Sequence, residues 1–280
     1  MYCRTFLWRD GQGQALSLRA SSQLSYIIRG SGPGLLLAHG AGATVQSCFS
    51  ALLGLLAEQF TVIGPDYPGS GATPRSLQPL QLDMLVDQMV ATAVQAGVEK
   101  FAMLGYSLGC AVALRAATRH PDRVMALILT SGFAQLDTVS RLKAQTLRNL
   151  VNGGDLSTAA QLLTNLTISE QYINSISEEE LRGLIELVTS GIASGAVEQT
   201  ELGEQIDVRP DLPKVSVPTL VINATQDRLL SPQLGKALAA GIPGAQIAEL
   251  NCGHLPIDRG REWLGLIQHF LAMVASPLSR

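Results

Sequence analysis

Two kinds of hydrophobic stretch alternate along most of this chain. Short, largely apolar runs, most of them with Gly, Pro, Asn or Asp at an end, recur at 35–38, 60–64, 101–104, 124–130, 215–223 and 245–250. Runs of that length and flanking composition fit strands covered on both faces, as in a parallel sheet. Between them lie longer stretches with apolar residues three and four apart. In 80–96 the spacing of Leu82, Leu85, Val86, Met89, Val90 and Ala93 predicts an amphipathic helix. Further helices are expected at 46–58, 110–119, 233–240 and 261–274. Strand, helix and strand in succession imply right-handed crossovers and a parallel sheet. Before the first buried run, 16–19 and 24–29 read as short antiparallel edge strands, closed by the turn-forming Gly30-Ser31-Gly32-Pro33-Gly34. The expected class is α/β, with a mostly parallel central sheet of about eight strands flanked by helices.

The alternation stops between about 136 and 207, where only helical spacing is found. Helices are predicted at 136–151, 157–166, 177–193 and 197–206. Asn152-Gly153-Gly154-Asp155 separates the first two, and Ser177 with Glu180 forms a capping box. A helical block inserted after the sixth strand is expected to be a lid over the carboxyl ends of the strands, where open α/β sheets bind ligands. The expected division is therefore a core of 1–134 and 209–280 with a lid of 135–208. Leu147, Leu163, Ile173 and Leu187 in that block either line an acyl pocket or pack the lid on itself.

Composition narrows the class. A chain of 280 residues suits one large domain with an insertion better than two folds. With 46% hydrophobic and 15% charged residues, wholesale disorder is excluded. A net charge of −3 without a basic block argues against a nucleic-acid partner. No stretch is long and apolar enough to span a bilayer, and residues 1–10 lack the apolar core of a secretory leader, so a cytoplasmic location without a membrane partner is expected. Monomer and homodimer are both compatible with the composition. Cys3, Cys48, Cys110 and Cys252 have no metal-ligand spacing and read as small buried residues. Arg141, Lys143, Arg148 and Arg182 either meet a carrier phosphate or lie on solvated helix faces.

The chemistry concentrates at Gly105-Tyr106-Ser107-Leu108-Gly109, between an apolar run and a helical pattern. A Gly-x-Ser-x-Gly at a strand-to-helix turn forms a nucleophile elbow, where small residues two positions either side of the serine permit the sharp bend. The amide of Leu108 opens the helix and faces a developing oxyanion. His39-Gly40-Ala41-Gly42-Ala43 follows another central strand. Its small residues let a second donor, the amide of Ala41, approach; the alternative is a plain tight connection. His39 reads as a structural hydrogen-bonder, Asp66 as a cap for loop amides and His120 as a helix-end residue. Asp227 and His254 each follow a predicted strand, so both belong to the same sheet edge as Ser107. The order Ser107, Asp227, His254 is that of an α/β-hydrolase.

On these features the sequence resembles the α/β-hydrolase superfamily: His39-Gly40, the Asp66-Tyr-Pro-Gly69-Ser-Gly71 loop, the elbow, Asp227 after Pro-Thr-Leu-Val-Ile, and Gly253-His254. It looks most like the lidded bacterial branch of enol-lactone hydrolases, carbon–carbon bond hydrolases and small-ester esterases. Two positions depart from that pattern. Cys110 replaces a common Gly or Ala, which is expected to move the helix outward, and Asp258 replaces a common Glu after the histidine. The resemblance implies a serine hydrolase acting through an acyl-enzyme on an ester, thioester or lactone, with a small-molecule, apolar acyl compound as the expected substrate and no metal or organic cofactor required. The alternatives are carbon–carbon bond hydrolysis, lyase or cyclase chemistry on the same parts, and a non-catalytic binding protein.

Overall fold

The computed structural model describes residues 23–275. Among them, seven strands form one sheet in the order β1-β3-β2-β4-β5-β6-β7. The strands are β1 (Tyr26–Arg29), β2 (Gly34–Ala38), β3 (Thr61–Pro65), β4 (Phe101–Tyr106), β5 (Val124–Thr130), β6 (Thr219–Ala224) and β7 (Gln246–Leu250). β1 pairs antiparallel to β3 and every other pair is parallel. The strand expected at 16–19 lies outside the described residues.

Alternation along the strands explains the layering. Leu36, Met103, Leu127, Leu129 and Val221 face one side, with α2 (Leu82–Gln95), α3 (Leu108–Arg119) and α9 (Pro232–Gly241). Leu35, Leu37, Leu104, Ile128 and Ile222 face the other, with α1 (Val45–Ala57) and α10 (Gly260–Ala275). Successive residues of a strand point to opposite faces, so runs such as Leu35-Leu36-Leu37 must be apolar throughout to be covered twice.

Between β5 and β6 the chain leaves the sheet. It forms α4 (Thr138–Asn152), α5 (Leu156–Thr167), the short α6 (Glu170–Ile173), α7 (Glu178–Gly191) and α8 (Ala196–Gln205). At the neck of this block, Gln135 and Asp207 form an antiparallel bridge and the Val208 amide donates to Ala134 O. Ser177 and Glu180 make the reciprocal capping bonds expected of them. α6 has no counterpart in the sequence reading, because one turn is too short for a periodic signal.

The strand expected at 215–223 begins later, at Thr219. A 3₁₀ helix, Arg209–Lys214, precedes it with two prolines. Pro218 has no N–H for a ladder, and pairing starts with Thr219 opposite Leu127.

Candidate active site

Ser107 sits between β4 and α3 with φ 54° and ψ −118°. That is strained backbone for a residue with a side chain. It is tolerated because the neighbouring glycines let the elements close up. A Cβ on Gly105 would lie 2.5 Å from Gly109 O, and one on Gly109 would lie 1.9 Å from Ala38 O. Both obstacles are backbone atoms of the central sheet and its helix. Gly109→Ala is therefore expected to cost at least about 3 kcal/mol, read from the urea midpoint at unchanged slope. Cys110, expected to move α3 outward, is buried under the first turn of that helix. Its thiol points at β5, lying 3.3 Å from both Gly105 O and Thr130 O. Gly132 makes the room, since a Cβ there would meet the sulfur at 2.5 Å.

Asp227 follows β6 and His254 follows β7. Both are buried, and with Ser107 they form one hydrogen-bonded chain. His254 Nε2 lies 3.0 Å from Ser107 Oγ, and His254 Nδ1 lies 2.6 Å from Asp227 Oδ2. A carboxylate only accepts, so the ring proton is on Nδ1 and the Nε2 lone pair faces the hydroxyl. The other carboxylate oxygen, Oδ1, accepts from the amides of Leu229 (2.9 Å) and Leu230 (2.8 Å). Three donors thus hold Asp227 in place.

Sequence reasoning missed Ser131, which holds the histidine loop from β5. Ser131 has φ 51°, is buried, and donates from Oγ to His254 O at 2.8 Å. The only sequence signal is a Ser-Gly pair at a strand end. Trp263 of α10 was missed too. It donates to Thr130 Oγ1 at 2.9 Å and packs against Tyr106 beneath the elbow.

Ala41 and Leu108 line the cavity in which Ser107 and His254 lie. The Leu108 amide is in the first turn of α3, where no intrahelical acceptor exists. Gly40 brings the preceding loop close: a Cβ there would sit 3.3 Å from that of Ser107.

His39 is not part of this chain of bonds. Tyr67 N–H donates to its Nε2 at 3.0 Å, so the proton is on Nδ1, which donates to Gly40 O at 2.7 Å. Burial lowers its pKa to about 4 from 6.5, opposed by the Gly40 bond. Between those values the unfolded chain binds a proton that the folded one refuses, so stability falls as pH drops from about 6.5 towards 4. By linkage the loss approaches about 3 kcal/mol, and His39→Gln should flatten this part of a melting-temperature profile against pH.

Asp66 accepts from Val45 N at 2.8 Å and so caps α1; burial raises its pKa, against that hydrogen bond. His120 caps the end of α3 and meets Asp87 at 2.8 Å. Burial, followed by the nearby carboxylates of Asp258 and Asp227, pushes the Cys252 thiol up to about 12. It is no thiolate at neutral pH and no rival to Ser107. Asp258 lies 3.5 Å from Ser169 Oγ, tying the histidine loop to the start of α6.

The cavity encloses about 360 Å³, within the range of small-molecule sites. Leu147, Leu163 and Leu187 line it, together with Leu136, Val188 and Ile192. Ile173 does not; it belongs to α6 and is half-buried elsewhere. Arg148 reaches the cavity wall, but its guanidinium is held by Glu204 at 2.9 Å and Glu201 at 3.0 Å. Lys143 donates to Arg228 O, and Arg141 reaches Leu136 O at 3.4 Å. Among the described residues, no group of three or more His, Cys, Asp and Glu is arranged to hold a metal ion, and no helix is long and apolar enough to cross a membrane.

A doubly covered parallel sheet, a serine at its strand-to-helix turn and an imidazole hydrogen-bonded to that serine define a hydrolase class. The family model for the alpha/beta hydrolase fold matches residues 33–260, and the chain belongs to that family. It is 32% identical over 253 residues to a pyrrolizixenacetamide deacetylase of Xenorhabdus hominickii, covering 89% of this chain and 95% of that protein. It is also 32% identical over 257 residues to a pimeloyl-[acyl-carrier protein] methyl ester esterase of Stenotrophomonas maltophilia, covering 89% and 96%. The crystal structure of the enol-lactonase from Burkholderia xenovorans LB400 superposes with a TM-score of 0.77 at 22% identity, covering 89% of this chain and 96% of that one. The chain is an α/β-hydrolase enzyme of the bacterial small-esterase type.

Proposed function

We propose that this enzyme cleaves a carboxylic ester, thioester or lactone through an acyl-enzyme on Ser107. His254 Nε2 takes the hydroxyl proton as Oγ attacks the carbonyl carbon, forming the C–O bond of a tetrahedral intermediate. The amides of Ala41 and Leu108 stabilise its oxyanion. His254 then returns the proton to the leaving oxygen or sulfur as that bond breaks. Water, deprotonated by the same imidazole, releases the acid and restores Ser107. Asp227 keeps the ring in the reactive tautomer and stabilises its charged form. The observation that carries this reading is the continuous Ser107–His254–Asp227 hydrogen-bonded chain opening into the cavity.

Residues 135–208 are the lid of this site. Their aliphatic side chains form the acyl pocket, and the ion-paired Arg148 leaves its wall without an unmatched cation. The substrate is accordingly a small or medium apolar acyl compound and not one held by a phosphate. A relative named as a deacetylase of an acetamide favours a second reading, cleavage of a small amide by the same parts. A panel of nitrophenyl esters from acetyl to decanoyl, with the matching acetanilide, separates the two. Turnover of short and medium esters at least about 100-fold faster than the anilide is expected. Faster anilide cleavage would replace the ester reading with the amide one.

A further inference from the structure

The loop that carries Ala41 is held from the helical block, at a residue remote in sequence. Gln199 of α8 is fully buried, and every polar atom of its amide is used. Its Oε1 accepts from Gly42 N at 2.8 Å, and its Nε2 donates to Pro68 O at 3.0 Å and Ser70 Oγ at 2.9 Å. Ser70 Oγ in turn donates to Ala43 O at 2.6 Å. Gly42 has φ +70°, and its carbonyl accepts from Ala193 N at 2.9 Å. The N–H of the peptide link after Ala41 and the carbonyl of the next link are thus both held by the segment that ends the block. The same segment is pressed onto the neighbouring loop. Gly195 N donates to Gly69 O at 3.0 Å, and a Cβ on Gly69 would come within 2.4 Å of Gly195.

We infer that Gln199 is a positioning residue for the Ala41 oxyanion donor, coupling the helical lid to the catalytic loop. This rests on the acyl-transfer reading above. In a run of small residues, no side chain of the loop itself fixes which amide faces Ser107. Gln199 removes one candidate by binding the Gly42 amide. It thereby fixes the peptide plane next to Ala41, whose N–H is left for the oxyanion. Such a donor works only if it is aimed before the charge forms, since reorienting it during reaction forfeits its benefit. The effect of losing Gln199 therefore falls on the transition state and not on ground-state binding.

The test uses the full-length enzyme and the best nitrophenyl ester of the panel. Gln199→Met keeps the buried volume and removes all three bonds. Gln199→Ala removes the same three bonds with a shorter side chain, and gives the answer if the Met variant does not fold. Circular dichroism checks folding, and fluorophosphonate titration counts competent serines. In the folded variant kcat is expected to fall about 30- to 300-fold with KM within about threefold. Affinity for a trifluoromethyl ketone, which forms a tetrahedral oxyanion on the serine, should fall in parallel. A folded variant with wild-type kcat and ketone affinity, or one whose only change is a lower melting temperature, overturns the inference. If the wild-type enzyme itself neither turns over esters nor reacts with the fluorophosphonate, the acyl-transfer reading fails and this inference with it.

Discussion

Replacing Ser107 by Ala is expected to reduce ester hydrolysis by roughly 10⁵–10⁶-fold, the scale on which nucleophile removal disables such sites. Its Oγ is 3.0 Å from the unprotonated nitrogen of His254, and the strained backbone aims it into the cavity. Cys110 and Cys252 are buried and their thiols are pushed up by desolvation, so neither can replace it. The variant should fold at least as well as the parent, because alanine asks for no buried hydroxyl partner. Steady-state kinetics beside a melting curve separate the two effects. Residual turnover within tenfold of wild type would move the nucleophile elsewhere.

Asp227→Asn is expected to cost about 10⁴-fold in kcat at neutral pH, the magnitude associated with a wrong imidazole tautomer. The direction follows from the hydrogen bonds. Oδ1 receives two amide protons, from Leu229 and Leu230, so an asparagine must keep its oxygen there. Its NH₂ then faces His254 Nδ1 in place of Oδ2. That nitrogen must now accept, which moves the ring proton to Nε2, opposite Ser107. A protonated Nε2 cannot take the serine proton. Because size and most contacts are kept, KM and the melting temperature should change little. A variant retaining more than about a tenth of wild-type kcat would show that the carboxylate does not control the ring.

The parts of this fold that were legible in sequence share one property: their signal is local. Apolar runs such as Leu35-Leu36-Leu37-Ala38 are covered on both faces, and that demand is written in consecutive residues. The capping box at Ser177 and Glu180 is likewise complete within four positions. Ser107 was legible through its flanking glycines. Asp227 and His254 were legible because each follows a strand whose carboxyl end shares one edge of the sheet. What escaped depends on pairs far apart. Gln199 is an ordinary polar residue in a helical pattern, and its value comes from Gly42, 157 positions away. Ser131 contacts the His254 carbonyl across 123 positions. The room for Cys110 was likewise out of local reach, because the glycine that provides it, Gly132, lies in the loop after the next strand. The fate of Arg148 also lay outside local reading, since Glu201 and Glu204 stand on a different helix.

The central claim is that Ser107, activated by His254, is the group that becomes acylated. Incubation with a fluorophosphonate, followed by intact-mass and peptide mass spectrometry, tests it most directly. The account predicts one adduct per chain, located on the peptide containing Ser107 and absent from Ser107→Ala and from His254→Ala at matched times. A folded wild-type protein that gains no adduct, or gains it on another residue, would contradict it.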